Sequence, residues 1–142
     1  MRLASAGAVA CVAAAAIALA VPALGPASDA ARLPGFVGCR AYTAASPKPI
    51  VRPRSIIAAC ADANLYFTGL RWSTWTATHA TATGTAHVND CTPSCAAGRF
   101  HTYPAHVMLS GPRSCAGKRE LTALRYRFPA KYGSGTQTFR CR

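Results

Sequence analysis

Residues 79–88 read His-Ala-Thr-Ala-Thr-Gly-Thr-Ala-His-Val. Ala80, Ala82, Gly84, Ala86 and Val88 alternate with His79, Thr81, Thr83, Thr85 and His87. A period of two marks a strand with one face buried, because successive side chains point to opposite sides of a sheet. The buried side here is built of small residues, so a partner must supply bulk. The preceding segment, 63–72, has it. On an unbroken two-residue period, Tyr66, Leu70 and Trp72 share one face and Leu65 and Phe67 the other. Ser73 to Thr78 then connects the two strands of a hairpin.

The same period continues downstream. Tyr103, Ala105, Val107 and Leu109 fall on one face of residues 101–109. Pro104 falls on the other, where its missing N–H suggests an edge strand or a bulge. Residues 121–128 turn Leu124, Tyr126 and Phe128 inward and Arg125 and Arg127 outward. Gly133-Ser134-Gly135 leads into a last short strand, 136–141. No segment after residue 30 carries a helical stripe. The pattern predicts an all-β fold, a compact antiparallel β-sandwich or open barrel of about five strands.

Residues 1–30 have the form of a secretory signal peptide. Arg2 supplies the positive charge, residues 6–21 the apolar run, and Pro22, Gly25 and Pro26 break it. Small residues in Ser28-Asp29-Ala30 place cleavage after Ala30, with Ala23 and Ala27 as competing sites. The run is shorter than the ~20 residues a membrane span requires. The expected location is therefore extracellular, with no integral span after cleavage. Residues 31–55 are basic and contain Pro34, Pro47, Pro49 and Pro53. They read as an extended arm rather than a helix. Residues 56–142 then form the β-domain.

Seven cysteines are present, and Cys11 lies in the leader. The other six are Cys39, Cys60, Cys91, Cys95, Cys115 and Cys141. An even number behind an export signal reads as a disulfide framework. Spacing alone does not fix the pairing. A turn centred near residue 76 sets position 60 opposite 91 or 92, which favours Cys60–Cys91. Cys95–Cys115 would then flank the next strand, and Cys39–Cys141 would tie down both ends. A tight Cys91–Cys95 loop is the main competitor.

Residues 60–128 resemble a group of small secreted proteins of actinobacteria. The pattern is C-A-D-A-N-L-Y-F-T-G-L-R-W-S-T-W at 60–75, then G-T-A-H-V-N-D-C-T-P-S-C-A-A-G-R-F at 84–100 and an apolar strand at 105–109. Trp72, Trp75, Asn89, Asp90, Cys91, Pro93, Cys95 and Gly98 set its spacing. The resemblance implies export and a shared fold, and it brings no activity or site with it.

The formal net charge is +12. Beyond the leader the acids are Asp62, Asp90 and Glu120. Such a surface attracts polyanions, although it also serves plain solubility. Arg125 and Arg127, with Arg140 and Arg142, can form an outward stripe that contacts phosphates without reading sequence. Sequence-specific nucleic-acid recognition is therefore not expected. The ordinary role of such charges is solvation and edge protection. Trp72 and Trp75, three residues apart on extended chain, should face opposite ways. Trp72 is expected in the core and Trp75 exposed at the turn, as a stacking platform beside Arg71. The alternative is that both pack.

Catalytic and metal chemistry is poorly supplied. His79 and His87 lie about 26 Å apart along a strand. His101 and His106 point to opposite faces, although cross-strand pairing could bring His87 near either. No metal and no cofactor is expected. Cys91 and Cys95 do not make a C-x-x-C redox motif. Asp62 and Asp90 adjoin Cys60 and Cys91, so a Cys60–Cys91 bridge would gather two carboxylates for hydrolysis. Turn hydrogen bonding by Asp62, Asn64, Asn89 and Asp90 competes with that reading. The sequence favours a non-enzymatic exported domain that binds an anionic or carbohydrate cell-surface component through Arg71, Trp75, Arg125 and Arg127. The alternatives are a secreted inhibitor or toxin-like effector acting on a protein, and a small hydrolase centred on Asp62 and Asp90. A rigid protruding loop at 91–98 would favour the inhibitor.

Overall fold

A computed structural model describes residues 33–44, 47–130 and 133–141. The signal-peptide reading of residues 1–30 lies outside them. Six strands form one antiparallel sheet in chain order, a meander curled into a half-barrel. They are β1 (Ile56–Ile57), β2 (Leu65–Trp75), β3 (Ala80–Asn89), β4 (Phe100–Cys115), β5 (Lys118–Arg127) and β6 (Ser134–Thr138). One short helix, α1 (Arg40–Thr43), precedes them. The open-barrel form of the prediction is the one observed; no second sheet packs on the first among the described residues.

The inner face carries the core. Ala80, Ala82 and Ala86 of β3 are buried, as their period requires. Phe67, Leu109 and Leu124 are wholly buried around them. Phe67, Tyr103, Tyr126 and Phe128 add an aromatic group with ring separations of 5.3–6.5 Å.

β2 departs from the two-residue period. Its pairing with β3 shifts between Thr68 and Arg71, and again between Trp72 and Thr74. Gly69, with φ +60°, supplies the first irregularity. Each extra residue reverses the facing of the strand beyond it. Phe67 and Leu70 therefore both point inward, three residues apart, and so does Trp75. The predicted faces of β2 are corrected accordingly: Phe67 is core, and Tyr66 lies on the opposite side from Leu70. Gly84 of β3 stands across from the first bulge. A Cβ there would meet the Thr68 carbonyl oxygen at 2.7 Å and Leu70 Cδ2 at 2.9 Å.

β4 is shared unequally. Phe100–Leu109 pairs with β3, and His106–Cys115 pairs with β5. Pro104 lies beyond the last residue of β5, Arg127, and Pro112 beyond the first residue of β3, Ala80. Each proline sits where β4 has a strand on one side only, so a missing N–H breaks no ladder. Pro104 thus marks a local edge within a strand that is central elsewhere.

Residues 33–44 and 47–55 lie against the sheet, and the extended-arm reading is corrected at Arg40–Thr43, which is helical. Gly35 bridges Glu120 on the free length of β5, and Phe36 bridges Ile50. Pro34, Phe36, Val37 and Ala41 are buried. Phe36 meets Phe139 edge-on at 5.2 Å.

The disulfides are Cys39–Cys60, Cys91–Cys95 and Cys115–Cys141. The expected Cys60–Cys91, Cys95–Cys115 and Cys39–Cys141 pairs do not form. β2 does not continue through Cys60; residues 59–64 turn back, with Ala58 and Ala59 N–H donating to the Leu65 carbonyl. Cys60 is thereby carried to Cys39 and away from Cys91. The length of β4, about 50 Å if fully extended, separates Cys95 from Cys115.

Candidate functional site

The outer face of the sheet is built from the residues that alternate with the core. Arg71, Thr83, His106, Arg127 and Ser134 form one continuous cross-strand row over β2 to β6. The next row holds Thr81, Met108, Arg125 and Thr136. Ser73 joins it through a 2.9 Å hydrogen bond to the Thr81 hydroxyl. All of these residues except Arg71 line a shallow depression of about 690 Å³.

Arg71, Arg125 and Arg127 are exposed. Arg125 and Arg127 lie about 7 Å apart along β5, and Arg71 stands three strands away, about 14 Å. No carboxylate shares the two rows. Glu120 is buried, and Asp62 and Asp90 belong to the loops at the far end of the strands. The 2.9 Å contact of Asp90 with His101 lies at that end too. Three guanidiniums and several hydroxyls thus share a surface with no built-in counter-charge. Arg140 is exposed beyond β6, and Arg142 lies outside the described residues.

Trp75 is not part of this face. It is 6% exposed, and its indole packs edge-on against Trp72 at 4.6 Å. The bulge between Trp72 and Thr74 puts both rings on the inner side. The expected exposed Trp75 is corrected: both rings pack, as in the alternative reading, with Trp75 buried and Trp72 partly buried against the core.

Aromatic surface does exist on the outer face, made by residues the sequence reading missed. Tyr66 stacks on His87 with centroids 4.4 Å apart and planes 5° apart. His87 Nε2 and the Thr68 hydroxyl are hydrogen-bonded at 2.8 Å. Phe100, 48% exposed, lies 5.5 Å from Tyr66, and the exposed Ile57 pairs with Tyr66 across β1 and β2. This cluster stands about 13 Å along β3 from the Arg71–Arg127 row, four residues at strand rise. The available signal was Gly69. A glycine inside a strand run marks a bulge, and one bulge puts Tyr66 on the face of Arg71.

The two aspartates are not gathered by a disulfide. Asp62 accepts from Asn64, at 3.1 Å from the backbone N–H and 2.6 Å from the amide. Asn64 in turn receives the Asn89 amide at 2.8 Å. Asp90 accepts from the N–H groups of Thr92 (3.1 Å) and Arg99 (3.0 Å) and lies 2.9 Å from His101 Nε2. The hydrogen bond with His101, then those from Arg99 and Thr92, hold its pKa down to about 2. Such a carboxyl carries no proton near neutrality and cannot act as a general acid there. Both aspartates hold turns together. Among the described residues no three His, Cys, Asp or Glu side chains converge as metal ligands, and no helix is long and apolar enough to cross a membrane. Comparison of the chain with protein-family models, curated proteins and solved structures gives no match.

Proposed function

We propose that this chain is an exported, non-enzymatic binding domain whose outer sheet face takes an anionic component of the cell surface. One observation carries the reading. Arg71, Arg125 and Arg127 share two adjacent rows with hydroxyl side chains and no carboxylate. Guanidinium groups match phosphate and carboxylate geometry, and unpaired ones on a rigid sheet are ready for such a ligand. Three disulfides fit an oxidising compartment.

The test is binding of the exported protein to a polyol-phosphate polymer across a salt series. Affinity should fall steeply with salt, because bound phosphates release counterions. Arg125→Glu with Arg127→Glu should weaken binding and flatten the salt dependence while leaving the melting temperature near wild type. Binding indifferent to both salt and the double substitution sinks the proposal.

The second reading is an inhibitor or effector acting through the loop after β3. Residues 92–97 are exposed, closed by Cys91–Cys95 and braced by Asn89 and Asp90. It ranks second because Thr92-Pro93-Ser94-Cys95-Ala96-Ala97 offers no Trp, Tyr or Arg anchor of the kind that dominates protein interfaces.

A further inference from the structure

We infer that the ligand is a phosphodiester polymer bearing pendant sugars, with the sugar seated on Tyr66 and Phe100 and the phosphates on the arginine rows. The inference rests on the anion-binding reading of the outer face and adds a second, uncharged subsite to it.

The outer face changes character along β3. At one end stand Arg71, Arg125, Arg127 and His106. At the other, Phe100 and Ile57 are 48% and 45% exposed beside Tyr66. The Tyr66 ring is held on one face by its stack on the cross-strand His87, which Thr68 holds at 2.8 Å. A ring held this way presents a preorganised apolar surface, and little side-chain freedom is lost when a ligand covers it. Exposed aromatic surface grouped in this manner marks a contact site more often than scattered single residues do.

The charges at that end offset one another. Arg99 directly precedes Phe100, and Asp90 directly follows Asn89, the cross-strand partner of Phe100. A phosphate there would meet one carboxylate for one guanidinium, unlike the carboxylate-free arginine rows. A sugar would instead lay its C–H face on the aromatic ring and have Thr85 and Thr102 hydroxyls for its own. The same asymmetry disfavours a single-stranded nucleic acid. That ligand needs successive stacking rings along a continuous basic track, whereas here one aromatic cluster is set about 13 Å from the cations.

The experiment compares two polyol-phosphate polymers of equal length and charge, one with pendant hexoses and one without. The inference requires the sugar-bearing polymer to bind the full exported chain at least about ten-fold tighter. Phe100→Ala should erase that difference and leave affinity for the bare polymer unchanged. Arg125→Glu with Arg127→Glu should weaken both. Equal affinity for the two polymers, with Phe100→Ala silent, overturns the sugar subsite and leaves the anion face standing. No salt-sensitive binding of either polymer overturns both readings. An oligodeoxynucleotide that loses affinity when made abasic, while hexoses on the polyol chain have no effect, assigns the ring to a base and also overturns the inference. Because Phe100 is exposed, its substitution should leave the melt unchanged; Tyr66→Ala gives a second test of the same surface.

Discussion

The indole Nε1–H of Trp75 donates to the carbonyl oxygen of Pro34 at 2.8 Å, across 41 residues of sequence. Trp72 makes the matching bond to the Pro53 carbonyl, also at 2.8 Å. Proline cannot donate from its backbone, but its carbonyl still accepts. The two rings therefore fasten both ends of the proline-rich segment to the inner side of β2. A pair that the sequence offered as one core ring and one binding ring is instead a pair of structural clamps.

Trp75→Ala should cost about 3–5 kcal/mol through lost contacts and a cavity. Trp72→Ala should cost less, because Trp72 is only partly buried. Trp75→Phe keeps most of the packing and isolates the hydrogen bond, which leaves a buried carbonyl unpaired at about 1–3 kcal/mol. Denaturant melts of the three variants check this order. A Trp72→Ala loss equal to that of Trp75→Ala would contradict it.

The three disulfides should differ in worth. In the chain-entropy model, closing loops of 26 and 21 residues contributes about 3.5 and 3.3 kcal/mol, and a loop of 4 about 1.9 kcal/mol. Removing Cys115–Cys141 by paired serine substitution should therefore lower the melting temperature more than removing Cys91–Cys95. Peptide mapping of unreduced protein should recover the three pairs named. A Cys60–Cys91 peptide would be incompatible with the turn at 59–64.

The sequence carried the strand-rich fold because its two-residue period is unbroken in β3, the second half of β5 and the first half of β4. It failed in β2, where two bulges each reverse a face. That single cause misplaced Phe67, Tyr66 and Trp75, and with them the aromatic part of the candidate site. Arg125 and Arg127 were legible because β5 alternates regularly from Ala123 to Arg127. The disulfides were lost for a related reason: the pairing of Cys60 depended on β2 running straight past residue 64. The turn at 59–64, with Ala63 at φ +54°, was signalled by Asp62 and Asn64, whose side chains bond within it; what no residue signalled was that the turn carries Cys60 towards Cys39.

Gly84 and Gly69 separate two reasons for a glycine. At Gly84 the obstacle is space, the Thr68 carbonyl and Leu70 lying within 3 Å of any Cβ. At Gly69 space is open and the obstacle is φ +60°. Gly84→Val should cost about 1–3 kcal/mol through overpacking. Gly69→Asn should be nearly neutral, because asparagine tolerates the left-handed region. Thermal melts decide it. A harmless Gly84→Val would mean that the bulge does not press on β3.

Glu120 is 6% exposed. Burial raises its pKa above the ordinary 4.5, against the opposing pull of Lys118 and Arg40. The folded state therefore holds a proton that the unfolded state has already released. Stability should fall as pH rises from about 4.5 through the folded-state pKa. Glu120→Gln, which removes the titration, should flatten that part of the profile and stabilise the fold at neutral pH. Denaturant midpoints from pH 4 to pH 8 provide the comparison. A neutral-pH loss of stability in Glu120→Gln would show that the ionised carboxylate is favoured where it sits.

Asp90 has the opposite sign. Its pKa is lowered from 3.8 to about 2, first by the hydrogen bond with His101 and then by the N–H groups of Arg99 and Thr92. The unfolded state takes up a proton before the folded one does. The stabilising contribution is therefore complete above about pH 4 and is lost as pH falls from 3.8 towards 2. The lost contacts are those that close the loop from Asp90 to Arg99, so the effect should appear there first. Amide exchange of Thr92 and Arg99 should accelerate relative to core amides over that acid window, beyond the change set by pH itself. In Asp90→Asn, the neutral side chain can still accept through Oδ1, and the exchange rates of these two amides should carry no such acid step. An unaltered step in Asp90→Asn would assign the acid sensitivity to another group and remove Asp90 as the brace of the loop.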